Sequence, residues 1–155
     1  MAQRIQARLK ELGITLPEAA SAVANYVPVA QSGSLLFVSG QLPMADGRVV
    51  WTGHVGEELD VEEGREAARL CAVNILAQLA GALDGDLDRV VRVVRLGGFV
   101  ASAPDFTAQP QVVNGASDLM VEVFGDAGRH ARAAVGVNVL PLDAAVEVEG
   151  LFEAG

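Results

Sequence analysis

The sequence predicts an α/β chain of the α+β kind, with helices laid on one face of a sheet in two layers. Three observations predict it. Ala68, Cys71, Ala72, Ile75, Leu79 and Ala82 form one apolar stripe at helical spacing. Val113, Ala116, Met120, Val123 and Phe124 form a second. Valine-rich stretches over residues 88–100 and 131–149 read as strands, so strand and helix alternate along the chain.

Ile5, Leu9 and Leu12 recur at helical spacing and Gly13 follows them, which predicts a short amphipathic helix over residues 3–12. Pro17-Glu18 begins a linker. Residues 25–31 and 34–39 read as strands joined by a Ser32-Gly33 turn, and Ser39-Gly40-Gln41-Leu42-Pro43 ends the second abruptly. Asp46-Gly47 is a further turn signal before a short strand over residues 48–51. Asp60 caps the first long helix, with Glu63 as its reciprocal partner three residues on, and Gly81 and Gly85 bracket its end. Residues 88–100 read as a partly buried strand that Arg92 and Arg95 interrupt. Pro104-Asp105 and Pro110 mark the loop before the second long helix, which Gly125 stops. The chain closes on two strands around Leu140-Pro141-Leu142-Asp143, and so short a break reads as a hairpin. The order is β-β-β-α-β-α-β-β behind an N-terminal helix.

A chain of 155 residues is long enough for one domain with a proper core. Residues 1–21 are expected to form an N-terminal helical extension and residues 22–155 a single domain. Hydrophobic content is 51% with only 5% aromatics, so small aliphatic side chains must do most of the packing. A net charge of −9 opposes a general grip on a phosphate backbone, so no nucleic-acid partner is expected. No apolar run approaches the roughly 20 residues of a membrane span. One cysteine and no apolar signal core point to the cytoplasm.

The motifs for dinucleotides, phosphates and zinc are missing, and no metal or organic cofactor is expected. His54 and His130 are the only histidines, and neither has a carboxylate at a recognisable metal-ligand spacing. Ser39 sits in Val-Ser-Gly-Gln, without the setting of a nucleophile elbow or an obvious histidine base. Cys71 belongs to the helix stripe and reads as a buried thiol. Arg132 is the strong candidate. Alternation places it on one strand face with Ala134, Gly136 and Asn138, opposite Ala133, Val135, Val137 and Val139. A guanidinium beside residues with little side chain is suited to hold a small carboxylate in a hollow. The alternative is an ion pair with Glu147 or Glu149, or a solvated strand end.

The run Arg132-x-Ala-Val-x-Val-x-x-Leu-Pro, followed by Val146-Glu-Val-Glu149, resembles the closing motif of the Rid (YjgF-like) family. These are reactive-intermediate imine deaminases, also labelled endoribonuclease L-PSP. Tyr26, Ser39 in Ser39-Gly40-Gln41, Asn114 and Glu147 match the family's tyrosine, serine, asparagine and last-strand glutamate, and the resemblance covers about residues 22–152. Two departures stand out. Many deaminase members carry a cysteine where this chain has Ala134; the N-terminal helix is an extension, and the 54–60 connection is longer than usual.

The resemblance implies a chorismate-mutase-like fold, a mixed sheet with both long helices on one face and the last strand inserted away from its predecessor. It implies a homotrimer with clefts between subunits, where Arg132 of one chain meets Tyr26 of a neighbour. It further implies hydrolysis of small enamine or imine acids to 2-oxo acids and ammonia. Arg132 would hold the substrate carboxylate and Glu147 would help position water. Ser39 and Asn114 would bind substrate or water, Tyr26 would cover the cleft, and Ala134 would line it. A non-catalytic protein binding small carboxylates on the same arginine is the alternative, and a ribonuclease ranks below both on charge and on the want of a histidine base.

Overall fold

A computed structural model describes residues 3–19 and 25–155, and the boundary expected between residues 21 and 22 lies outside them. The elements are α1 (Arg4–Glu11), β1 (Val29–Ser32), β2 (Leu35–Gln41), β3 (Met44–Ala45), β4 (Arg48–Val49), α2 (Val61–Ala82), β5 (Val90–Ala101), α3 (Gln109–Phe124), β6 (Ala131–Val137) and β7 (Val146–Ala154). Five strands form one sheet in the order β1-β2-β7-β5-β6, and β3 and β4 form a separate hairpin. β5 and β6 run parallel, whereas β7 is antiparallel to both β2 and β5. The closing strands are therefore not the hairpin that their proximity in sequence suggests; β7 is inserted away from β6, as the family resemblance implies. A parallel β5–β6 pair needs a crossover, and α3 supplies it.

Both long helices cover the same face of the sheet, α2 over β7 and β2, and α3 over β5 and β6. The stripes foreseen in the sequence form the core: Ala68, Cys71, Ala72, Ile75 and Leu79 of α2 meet Val113, Ala116, Met120 and Val123 of α3, over Leu36, Val93, Leu96, Val148 and Phe152 of the sheet. Asp60 caps α2 in a complete capping box, its carboxylate accepting from the Glu63 N–H at 2.8 Å while the Glu63 carboxylate accepts from the Asp60 N–H at 3.0 Å. Arg69 joins Glu122 across the two helices at 3.1 Å. The other sheet face carries no helix among the described residues, and Phe37 and Val135 stand on it 46% exposed.

The N-terminal helix is tied into this body. Ile5 and Leu9 are buried in the common core. Its own N-cap residue, Gln3, makes no side-chain cap. Asp88 takes over, accepting from the backbone N–H groups of Arg4 at 3.0 Å and Ile5 at 2.7 Å. Burial acts to raise the Asp88 pKa, but the two N–H bonds outweigh it and leave it below its ordinary value. A lowered carboxylate pKa means that this stabilisation is present above about pH 4, the unfolded value, and lost as pH falls through the folded one. Asp88→Ala should cost about 1 kcal/mol in denaturant unfolding, with the difference from the wild type shrinking in acid. An unchanged midpoint at neutral pH would remove the cap from the account.

Several boundaries moved. The strand expected over residues 25–31 starts only at Val29; Pro28 lacks the N–H that a ladder needs, and Tyr26 lies before the strand in a bend. The turn is Gly33-Ser34, since Ser32 pairs with Leu35. β2 runs on through Ser39 and Gly40 to Gln41 across a bulge. The strand expected over residues 48–51 shrinks to Arg48–Val49, but its Asp46-Gly47 turn holds, with φ of +55° and +79° as a tight hairpin demands. β5 begins two residues late, after a 3-10 turn over Leu87–Arg89, and its register shifts beside Arg92 and Arg95. β7 extends to Ala154, beyond the four residues that alternate Val and Glu.

Candidate functional site around Arg132

Arg132 lies on β6 in register with Leu96, whose side chain is in the core, so the arginine turns toward the helix layer. There it meets α3. Asn114 and Ser117 are three residues apart on that helix and share a face. Arg132 Nη1 donates to Asn114 Oδ1 at 2.7 Å and to Ser117 Oγ at 3.2 Å. Both hydrogens of Nη1 are thereby used on neutral acceptors. Three N–H groups, on Nε and Nη2, have no protein acceptor among the described residues, and two of them, Nε–H and one Nη2–H, form the flat edge that matches a carboxylate.

Neither ion pair considered for this arginine forms. Among the described residues no carboxylate lies within ion-pair distance of Arg132, and Glu149 pairs instead with Arg95 at 3.5 Å on the opposite sheet face. A half-buried guanidinium held only by neutral groups keeps its full charge for something else. The small residues beside it leave less room than alternation implied. The space next to Gly136 is occupied by Gln109, whose Nε2 lies 2.6 Å from where a Cβ would stand. Ala134, on the same strand face as the arginine, is partly buried and packs against the core.

The other expected site residues are not gathered here by one chain. Ser39 is on β2, three strand intervals from β6 in the sheet order, or roughly 14 Å at ordinary spacing. Its hydroxyl donates to Val27 O at 2.8 Å, which anchors the bend carrying Tyr26, and Tyr26 is 53% exposed. Glu147 is in register with Phe99, one strand residue out of phase with Leu96, and so faces away from Arg132. Its carboxylate lies where a side chain at Gly40 would stand. Desolvation, and then the neighbouring Glu149 charge, raise the Glu147 pKa. A cleft of about 820 Å³ between α1 and residues 13–16 contains none of these residues.

Two residues were missed. His130 Nδ1 donates to Gly128 O at 2.6 Å, and His130 Nε2 lies 2.8 Å from the hydroxyl of Ser117. A histidine is therefore one hydroxyl away from Arg132, at a site for which the sequence offered no obvious histidine base. Sequence spacing held the signal: His130 shares a strand face with Arg132 by alternation, and Ser117 shares a helix face with Asn114.

His54 requires a second correction. It does have carboxylates at hand, with its Nδ1 3.4 Å from Glu58 and the ligand atoms of His54, Glu57 and Glu58 all within 4.8 Å of one another. Nε2 donates to Asn138 O at 2.7 Å, so this loop is clasped to the end of β6. The backbone bond to Asn138, followed by Glu58, raises the His54 pKa. A raised histidine pKa places this stabilisation fully below the unfolded value of about 6.5 and removes it as pH rises through the folded value. His54→Ala should therefore differ in melting temperature from the wild type at pH about 5.5 and converge with it in alkali. A difference independent of pH would rule out the charged clasp.

The layered mixed sheet, with an arginine poised on its parallel edge strand, defines a chorismate-mutase-like α/β protein. Residues 6–153 match the family described as "YjgF/chorismate_mutase-like, putative endoribonuclease", and the chain belongs to this YjgF/Rid family. Protein TCP17 of Trypanosoma cruzi is 55% identical over 151 residues, spanning 97% of this chain and 94% of that protein. The crystal structure of Atu1372 from Agrobacterium tumefaciens, of unknown function, is 55% identical with a TM-score of 0.93, covering 99% of this chain and 94% of its own. A Shewanella oneidensis MR-1 structure with the same endoribonuclease label is 38% identical with a TM-score of 0.92, covering 96% of this chain and 98% of its own. No helix among the described residues is long and apolar enough to cross a membrane.

Proposed function

We propose that this protein hydrolyses small enamine or imine acids to 2-oxo acids and ammonia, with the substrate carboxylate held on the free edge of Arg132. The observation that carries this reading is the arginine itself: half-buried, fixed through Nη1 by Asn114 and Ser117, and paired with no acid among the described residues. A fixed guanidinium orients an α-imino acid so that one face of its C=N bond is offered to water. An imine is electrophilic enough that orientation and proton management suffice, and no covalent nucleophile is needed. Addition of water gives a carbinolamine, and its collapse expels ammonia and leaves the 2-oxo acid. Glu147, with its raised pKa, suits a group that exchanges a proton with that water, provided it reaches the site from a second chain.

That proviso leads to the assembly. Tyr26, Ser39 and Glu147 lie apart from Arg132 within one chain, so a site using all of them needs a neighbouring copy. The exposed sheet face with Phe37 and Val135 suits such a contact, and the assembly proposed is a homotrimer with Arg132 in each cleft. The location proposed is the cytoplasm.

An amino-acid oxidase that generates imino acids in the presence of semicarbazide tests the reaction. The protein should suppress semicarbazone formation, and Arg132→Ala should not. If the wild type matches the blank across a panel of amino acids, catalysis on these substrates is out. Ala134 in place of the frequent cysteine favours keeping a second reading, a carboxylate-binding protein without turnover. It predicts saturable binding of 2-oxo acids that Arg132→Ala abolishes.

A further inference from the structure

The hydrogen-bond chain behind Arg132 has a direction. A backbone carbonyl can only accept, so the 2.6 Å contact with Gly128 O places a hydrogen on His130 Nδ1. In the neutral ring, Nε2 is then the acceptor, and it takes the single hydroxyl hydrogen of Ser117 at 2.8 Å. With that hydrogen committed, Ser117 Oγ turns its lone pairs outward, and Arg132 Nη1 donates to it at 3.2 Å. Asn114 Oδ1 takes the other Nη1 hydrogen at 2.7 Å. Every donor in the run from Arg132 Nη1 to the Gly128 carbonyl meets an acceptor.

We infer that His130 and Ser117 are positioning residues that lock the Arg132 guanidinium, so that its Nε–Nη2 edge is the part offered to a ligand. His130 acts without touching substrate. By accepting from Ser117 it prevents the hydroxyl from rotating its hydrogen toward the arginine, where it would oppose the Nη1 donor. Without His130, Ser117 can present either a hydrogen or a lone pair, and Nη1 keeps Asn114 as its only dependable partner. The guanidinium then swings about Nη1, and its free edge loses a fixed direction. The backbone supports the same purpose. Gly128, whose carbonyl orients the imidazole, lies against Met120 and Val121 of α3, where a Cβ could not fit. The segment bearing His130 is thus pressed onto the helix bearing Ser117. This role rests on the reading of Arg132 as the carboxylate holder, but the state of the guanidinium is observable without any ligand.

Nitrogen-resolved NMR of the full-length protein provides the test. At alkaline pH, His130 should be the Nδ1–H tautomer, and the Arg132 Nη1 and Nη2 signals should be distinct through hindered rotation. Ser117→Thr keeps the hydroxyl and should keep them distinct. Ser117→Ala and His130→Ala should collapse them while the remaining backbone amide spectrum stays that of the folded protein. Titration with pyruvate should then show about five- to tenfold weaker binding in both alanine variants and near wild-type binding in Ser117→Thr. An Nε2–H tautomer in the wild type, or distinct Arg132 signals in His130→Ala, would overturn the inference. If pyruvate fails to bind the wild type, the ligand reading fails by itself, and the tautomer and guanidinium signals still decide whether the lock exists.

Discussion

Arg132→Ala should remove all measurable suppression of semicarbazone formation, and Arg132→Lys should restore little of it. The reason lies in the geometry of the group. A carboxylate on the Nε–Nη2 edge accepts two charge-assisted bonds in one plane, each worth roughly 1.5–3 kcal/mol. Losing both lowers kcat/KM by about a hundredfold or more. Lysine keeps the charge but not the fork. Its ammonium is a point charge on a flexible stem, so it can attract an anion but cannot fix the plane of the C=N bond. The split between constants is informative. If Arg132→Lys raises KM with kcat retained, the arginine acts in uniform binding; if kcat falls as well, orientation is part of the catalysis. Retained activity in Arg132→Ala would move the reaction away from this cleft.

The parts of this protein that were legible in its sequence share a local cause. The α2 capping box, the Asp46-Gly47 turn and the two apolar stripes depend on residues within a few positions of each other, and all are present. The failures are non-local. β6 and β7 adjoin in sequence but are separated in the sheet by β5, because α3 makes the β5–β6 connection a parallel crossover. Arg132 and Glu147 looked like partners along the chain. Their opposite sheet faces follow from strand register, which no spacing of fifteen residues across a break reveals. Asp88 capping α1 spans more than eighty residues and had no sequence signal. The Ser117–His130 contact lay between, since each residue was on the readable face of its own element while their meeting depended on how α3 packs against β6.

That packing is the subject of the second large effect. Gly115 sits between Asn114 and Ser117 on α3, facing away from Arg132 and toward α2. A Cβ there would collide with the backbone carbonyl oxygen of Arg65, and Arg65 Cα stands 3.1 Å from the same point. The obstacle is backbone inside a capped helix, so no side-chain rotation relieves it. Gly115→Ala should therefore destabilise the fold by about 3 kcal/mol, despite alanine's better helix propensity, which alone would favour it by roughly 1 kcal/mol. The helices must separate at this point, and α3 carries Asn114 and Ser117 with it. Carboxylate binding should thus weaken even at temperatures where the variant remains folded. Gly81 is the control, on the partner helix, where among the described residues only Ala19 Cβ comes near, at 3.8 Å, an ordinary contact. Gly81→Ala should be neutral or stabilising in thermal unfolding. If both variants melt alike, close approach of α2 and α3 is not what Gly115 provides. If Gly115→Ala alone melts early and binds weakly, the helix crossing is what holds Arg132 in place.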